Sequence, residues 1–194
     1  MAERLKDAPG TIAEGFAEAS VLFADLTGFT ASSQTAEPQG LVEFLDAVFS
    51  EFDRLAADFG VEKIKTIGDA SMAAAGLPVP RADHAGAAAR MALGTQEAFA
   101  TLTRARGLPL DLRIGIHSGP VVADVIGRHK FSYDLWGDTV NLASRMESHG
   151  ERGMVHVSAA TRLLLGDRFR FEDRGEVAVR GSGPMRTFFL LGPA

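Results

Sequence analysis

Between Leu41 and Phe59 the apolar side chains fall at Leu41, Phe44, Leu45, Val48, Phe49, Phe52, Leu55 and Phe59, and Gly60 follows. Spacings of three and four residues over about five turns put them on one face of a helix, and the glycine supplies its stop. An alanine-rich stretch over 83–102 predicts a second helix, and 139–148 a short one with Asp138 as its cap. The run ASVLFA at 19–24 reads as a buried strand. Apolar stretches at 61–67 and 71–77 flank Gly68-Asp69, which predicts a β-hairpin. Those at 110–117 and 121–126 flank Ser118-Gly119-Pro120 and predict another. Beyond Met154 three short strands (MVHV, EVAV, TFFLL) surround a small helix. Residues 1–18 are polar and broken by Pro9-Gly10, a lead-in or linker, which leaves 19–194 as one domain. Hairpins mixed with long helices define an α+β fold, with helices packed on a largely antiparallel sheet.

Composition narrows the function. At 194 residues the chain is long enough for one substantial core, and its formal net charge of −5 offers no general footprint for nucleic acid or an anionic membrane. A polyanionic ligand therefore needs a local device. The absence of cysteine excludes disulfides, thiolate metal sites and cysteine nucleophiles. No apolar run reaches the length of a membrane span, and the first ten residues lack the apolar core of a signal peptide. The expectation is a cytoplasmic domain, free or part of a longer protein with an upstream regulatory region.

Two carboxylates stand out. Asp25 closes the apolar run VLFA, and Asp69 occupies the tip of the first hairpin. Each has an ordinary role in capping or turn formation; together they suit hard divalent cations, since Mg²⁺ takes one or two carboxylates plus substrate phosphates. Gly28 permits close backbone approach, and a helix opening near Phe29 and Thr30 would present free N–H groups to an anion. No GxxxxGK[ST] motif is present, and Gly181-Ser182-Gly183 is too short to count as one. The densest polar stretch is 131–147, where Asn141 and Arg145 share a helix face beside the single tryptophan, Trp136, and the single tyrosine, Tyr133. Lys65 interrupts an otherwise apolar strand. Surface helices and solvated strand lysines are the ordinary alternatives.

Four segments, VLFADLTGFT, EKIKTIGDASM, LRIGIHSGPVVA and FSYDLWGDTVNLASRME, resemble in order and spacing the motifs of class III nucleotide cyclase catalytic domains. The resemblance runs from about Ser20 to the C-terminus. It implies a ferredoxin-like, palm-type sheet and an adenylate cyclase, a phosphorus–oxygen lyase that makes cyclic AMP from ATP. By it Asp25 and Asp69 match metal ligands for two Mg²⁺ or Mn²⁺ ions, and backbone N–H groups of Leu26, Thr27, Gly28, Phe29 and Thr30 match a triphosphate turn. Lys65 and Asp134 match the pair that reads adenine, directly or through neighbours such as Leu135. Asn141 matches the residue that positions the ribose, and Arg145 the one that stabilises charge on the α-phosphate. The resemblance also implies a homodimer, Asp25 and Asp69 serving from one subunit and Lys65, Asp134, Asn141 and Arg145 from the other.

The chain departs from that pattern in places. Ser182 stands where a phosphate-contacting lysine is common, with Arg180 and Arg186 as candidate replacements. Asp124 stands where many relatives carry glycine. Arg128, His129 and Lys130 share the loop that holds a phosphate-binding arginine in relatives. The remaining histidines (His84, His117, His149, His156) lack metal-ligand spacing and read as structural or surface residues. Guanylate cyclase is disfavoured by Lys65 and Asp134, and a silent cyclase-like nucleotide-binding module by the filled catalytic positions. A ferredoxin-like nucleic-acid binder would need a basic, aromatic sheet face.

Overall fold

The computed structural model describes residues 12–29, 37–126, 132–179 and 181–194. Its described strands are β1 (Ile12–Thr27), β2 (Glu62–Ile67), β3 (Ala70–Ala75), β4 (Asp111–Ile126), β5 (Ser132–Trp136), β6 (Val155–Ser158), β7 (Phe169–Val179) and β8 (Gly183–Pro193). They form one sheet in the order β2-β3-β1-β4-β6-β8-β7, with β5 paired to the far half of β4. Only β4 and β6 run parallel; the other pairings are antiparallel. Its principal helices are α1 (Pro38–Phe59), α2 (His84–Arg106), α3 (Asp138–Ser148) and α4 (Ala159–Leu165). The α+β class and the largely antiparallel sheet are as expected.

Strand alternation divides the core into two layers. Leu22, Ala24 and Leu26 of β1 face one side with Ile114, Ile116, Val155 and Val157, beneath α1 and α2. On that side α1 buries Phe44, Val48, Phe52 and Leu55, the face its periodicity predicts, and Gly60 closes it in the left-handed conformation at φ 63°. Helix α2 buries Ala85, Ala87, Ala88, Ala89 and Ala92, whose small side chains let it lie close to the sheet. Val21 and Phe23 of β1 face the other side with Met72 and Ala74, beneath α3 and β5. Gly115 of β4 is what allows α3 to sit there: a Cβ at Gly115 would lie 1.9 Å from the backbone nitrogen of Glu147.

Three local expectations are corrected. Ser118-Gly119-Pro120 is not a turn: β4 runs straight through it, paired to β1 along both halves. Pro120 falls where the β1–β4 register shifts, between the Phe16–Val121 and Ala19–Gly119 pairs, a bulge that tolerates a residue without an N–H. Gly119 serves close approach, since Thr139 Oγ1 would lie 2.7 Å from a Cβ there. Thr139 Oγ1 donates to the Pro120 carbonyl at 2.7 Å, tying the start of α3 to β4. Second, β1 starts at Ile12 rather than Ala19, so the later part of the supposed lead-in belongs to the sheet. Third, Gly137 rather than Asp138 is the N-cap of α3, without a side-chain hydrogen bond, and Asp138 lies in the first turn.

The buried histidines are satisfied inside the fold. His84 Nδ1 meets Ser20 Oγ at 2.9 Å, His117 Nδ1 meets Ser158 Oγ at 2.7 Å, and His156 Nδ1 meets the Met146 carbonyl at 2.7 Å. Burial lowers all three pKa values, that of His156 to about 4.

Candidate active site

Asp25 sits near the end of β1, in register with Ala70 of β3 and Arg113 of β4. Asp69 immediately precedes Ala70 in the tight β2–β3 turn, where Gly68 takes φ 63°. The local hairpin and the long-range strand pairing thus set the two carboxylates side by side. Burial, and then the negative charge of Asp69, raise the Asp25 pKa against the opposing pull of Arg113. Arg113 donates from Nη2 to Asp25 at 3.1 Å and from Nε to Glu147 of α3 at 2.6 Å. The Glu147 pKa is also raised, chiefly by burial.

Neither Arg113 nor Glu147 was identified from sequence. The usable signal for Arg113 was the one that singled out Lys65, a cation interrupting an apolar strand. Among the described residues no cluster of three or more His, Cys, Asp or Glu could hold a metal. A cation at Asp25 and Asp69 would therefore draw its remaining ligands from backbone, water and phosphate, which is how Mg²⁺ is usually held. Two adjacent, partly buried carboxylates, one of them with a raised pKa, fit a divalent ion that would relieve their repulsion.

Lys65 lies on β2 in register with Met72, which pairs with Phe23, so it shares the sheet face that carries Asp25. Although β5 joins the sheet by its backbone pairing with β4, the arm formed by these strands brings β5 against β2, and Ile64 and Tyr133 pack in one cluster. There Lys65 Nζ donates to Asp134 Oδ2 at 2.5 Å, and the Leu135 N–H donates to Asp134 Oδ1 at 2.8 Å. The two charged side chains keep 37% and 18% of their surface exposed, so a ligand can reach them. The Leu135 side chain is buried in the core, which leaves its backbone for any contact with a ligand.

Helix α3 presents Asn141 to the outside and Arg145 one turn later. Arg145 Nη1 is enclosed and has no hydrogen-bond partner among the described residues. It lies against the β7–β8 turn, 3.6 Å from where a Gly181 Cβ would stand. Ser182, in that same turn, donates its N–H to the Val179 carbonyl at 3.0 Å, and its side chain is exposed.

The residues of the phosphate turn separate. Leu26 and Thr27 still belong to β1; the Leu26 side chain is in the core, and Thr27 Oγ1 donates to the Asp111 carbonyl at 3.1 Å. Gly28 has φ 86° and leads to Phe29, which packs on the core. Thr30, Arg128, His129, Lys130 and Arg180 lie outside the described residues. Among the described residues, no hydrogen bond or ion pair joins Asp25 or Asp69 to Lys65, Asp134, Asn141 or Arg145.

The family model of the adenylate and guanylate cyclase catalytic domain matches residues 12–192, and the chain belongs to this family. It is 47% identical over 193 residues to an adenylate cyclase of Mycobacterium tuberculosis, covering 99% of this chain and 44% of that protein. It is 43% identical to the human guanylate cyclase soluble subunit beta-2, covering 98% of this chain and 31% of the subunit. The chain thus spans less than half the length of these curated relatives.

Among solved structures, the adenylyl cyclase CyaB from P. aeruginosa superposes with a TM-score of 0.89 at 30% identity, covering 94% of this chain and 97% of that one. The catalytic core of a rhodopsin-guanylyl cyclase with converted specificity, in complex with ATPalphaS, gives 0.88 at 37% identity, covering 93% and 98%. The matched family region begins at Ile12, where β1 begins. No helix among the described residues is long and apolar enough to cross a membrane.

Proposed function

We propose that this chain is the catalytic domain of an adenylate cyclase, converting ATP to 3′,5′-cyclic AMP and pyrophosphate at sites shared by two copies. The observation that carries the choice of ATP is the Lys65–Asp134 pair. It sets an ammonium donor beside a carboxylate acceptor. Adenine offers the complement, an acceptor ring nitrogen beside an amino donor, whereas guanine reverses the pattern. A site built for specific hydrogen bonds rejects the wrong base because its polar groups would be left unpaired. The likeness to a core in complex with ATPalphaS supports this reading, and the guanylate cyclases among the relatives make the base-reading residues decisive.

At the phosphate end Asp25 and Asp69 would hold Mg²⁺ or Mn²⁺. Such ions, when bound, activate an attacking hydroxyl and neutralise the leaving oxygens of an in-line displacement. Arg113, fixed between Asp25 and Glu147, keeps a positive charge beside this carboxylate pair. The ribose 3′-oxygen attacks the α-phosphorus, its proton passes to water, and the bond to the bridging oxygen of the β-phosphate breaks. Asn141 orients the ribose. The unpartnered Nη1 of Arg145 donates to the charge that develops on the α-phosphate. One such preorganised donor is commonly worth about 10²–10³ in rate.

Since among the described residues no hydrogen bond or ion pair joins the two groups, a two-fold pair of chains would complete two sites. On the outer face of the β4–β5 arm, Val122 and Trp136 are cross-strand partners, 43% and 53% exposed. The second copy would cover this apolar patch. The cytoplasm, as the store of ATP, is the expected location, with regulation supplied by further sequence such as the longer relatives have.

The test supplies purified protein with Mn²⁺ and ATP or GTP in parallel. Cyclic AMP from ATP is expected. Preferential turnover of GTP overturns the base assignment, and binding without turnover makes the chain a silent module. Asp25→Ala and Arg145→Ala should each abolish activity, while their mixture regains part of it through heterodimers with one intact site. No recovery in a mixture shown to exchange subunits rules out the shared site.

A further inference from the structure

We propose that Asp124 is a specificity-determining residue, a second carboxylate acceptor for the exocyclic amine of the purine beside Asp134. This rests on the reading of the site as one for ATP. The β4–β5 register sets Asp124 directly opposite Asp134. Directly opposed residues of an antiparallel pair share a face, with Cα atoms about 4.5–5.5 Å apart. Both oxygens of Asp134 are already engaged, one by Lys65 and one by the Leu135 N–H. Asp124 Oδ1 is enclosed and, among the described residues, accepts no hydrogen bond. The next pair on the same face is Val122 and Trp136, both exposed, so Asp124 and Asp134 stand beside the surface where the two copies would meet and share their sites.

Like charges directly opposite one another destabilise a strand pair, and an enclosed acceptor without a donor costs free energy. This chain accepts both penalties beside Lys65. With the Lys65 ammonium paired to Asp134 and a further carboxylate, Asp124, opposite Asp134 in the ladder, the base end of the site has an excess of acceptors. An exocyclic amine has two N–H bonds. Asp134 can take one, and the partly exposed carboxylate of Asp124 opposite it is the remaining acceptor for the other. A purine with a carbonyl at that position would instead set its lone pairs against Asp124.

The experiment compares ATP with inosine triphosphate, which carries that carbonyl, on the wild-type chain and on Asp124→Asn and Asp124→Ala. The preference for ATP, as a ratio of kcat/KM values, should fall about tenfold in both variants, further in Asp124→Asn, whose amide can donate to the carbonyl. The melting temperature of the nucleotide-free protein should rise in both as the repulsion is removed. An unchanged ratio in folded variants overturns the proposal, and a lowered melting temperature with an unchanged ratio assigns Asp124 to the fold instead. Calorimetric binding of the two triphosphates separates this idea from the cyclase reading. If the wild type turns over neither nucleotide yet binds ATP preferentially, and Asp124→Asn loses that preference, Asp124 keeps its role and the cyclase reading fails. Equal binding of both by the wild type overturns the proposal.

Discussion

Gly115→Ala tests whether the contact between α3 and β4 sets the geometry of the site. The added Cβ would stand 1.9 Å from the Glu147 backbone nitrogen and 2.5 Å from its Cα, against an ordinary contact of about 3.4 Å. The obstacle is helix backbone, so no side-chain rotation relieves it; α3 must move away by about 1.5 Å. Overpacking of this kind costs about 1–3 kcal/mol. For a domain of this size each kcal/mol lowers the melting temperature by about 2–4 °C, so a loss of several degrees is expected. The functional effect should be larger. Helix α3 carries Asn141 and Arg145, and Glu147 on it braces Arg113 against Asp25. A misplacement of about 1 Å at a reacting centre can cost about 10²-fold. A folded, dimeric Gly115→Ala protein should therefore lose about two orders of magnitude in kcat with a smaller change in KM, measured by cyclic AMP production. Retention of wild-type kcat would refute the claim that this contact positions the catalytic side chains.

Lys65→Glu, which reverses the donor and places three carboxylates at the base end, should cut kcat/KM for ATP by at least about 100-fold. An unchanged rate means the base is read elsewhere. His156 provides a stability test that is independent of catalysis. Its folded-state pKa of about 4 lies below the ordinary 6.5, so on acidification the unfolded chain takes up this proton first. Stability should fall as pH drops from about 6.5 to about 4, by about 3 kcal/mol from this group. Denaturant titrations should show that slope and find it flattened in His156→Gln; an identical slope in the variant assigns the acid sensitivity to other groups.

Features set by neighbouring residues were legible in the sequence. Helix α1 follows from a 3.6-residue apolar period and a glycine stop, and the β2–β3 hairpin from Gly68 between two apolar runs. The candidate site residues were legible as residue types in long motifs. What could not be read was decided by partners distant in the chain. Ser118-Gly119-Pro120 carries turn chemistry, yet β1 pairs along both sides of it and a bulge absorbs the proline, so the chain stays extended. Ile12 to Phe16 look like linker until Val121 to Val125 stand opposite them. Arg113 gains significance only where β4 pairs with β1 and α3 crosses above, bringing Asp25 and Glu147 to its guanidinium. Asp124, unexplained in one dimension, acquires a neighbour of like charge once β4 and β5 are in register. The sequence by itself determined which chemical groups are present and which short elements carry them. Only the tertiary structure decided which charges meet, because strand register and the close approach of α3 over Gly115 depend on contacts that no local stretch of sequence contains.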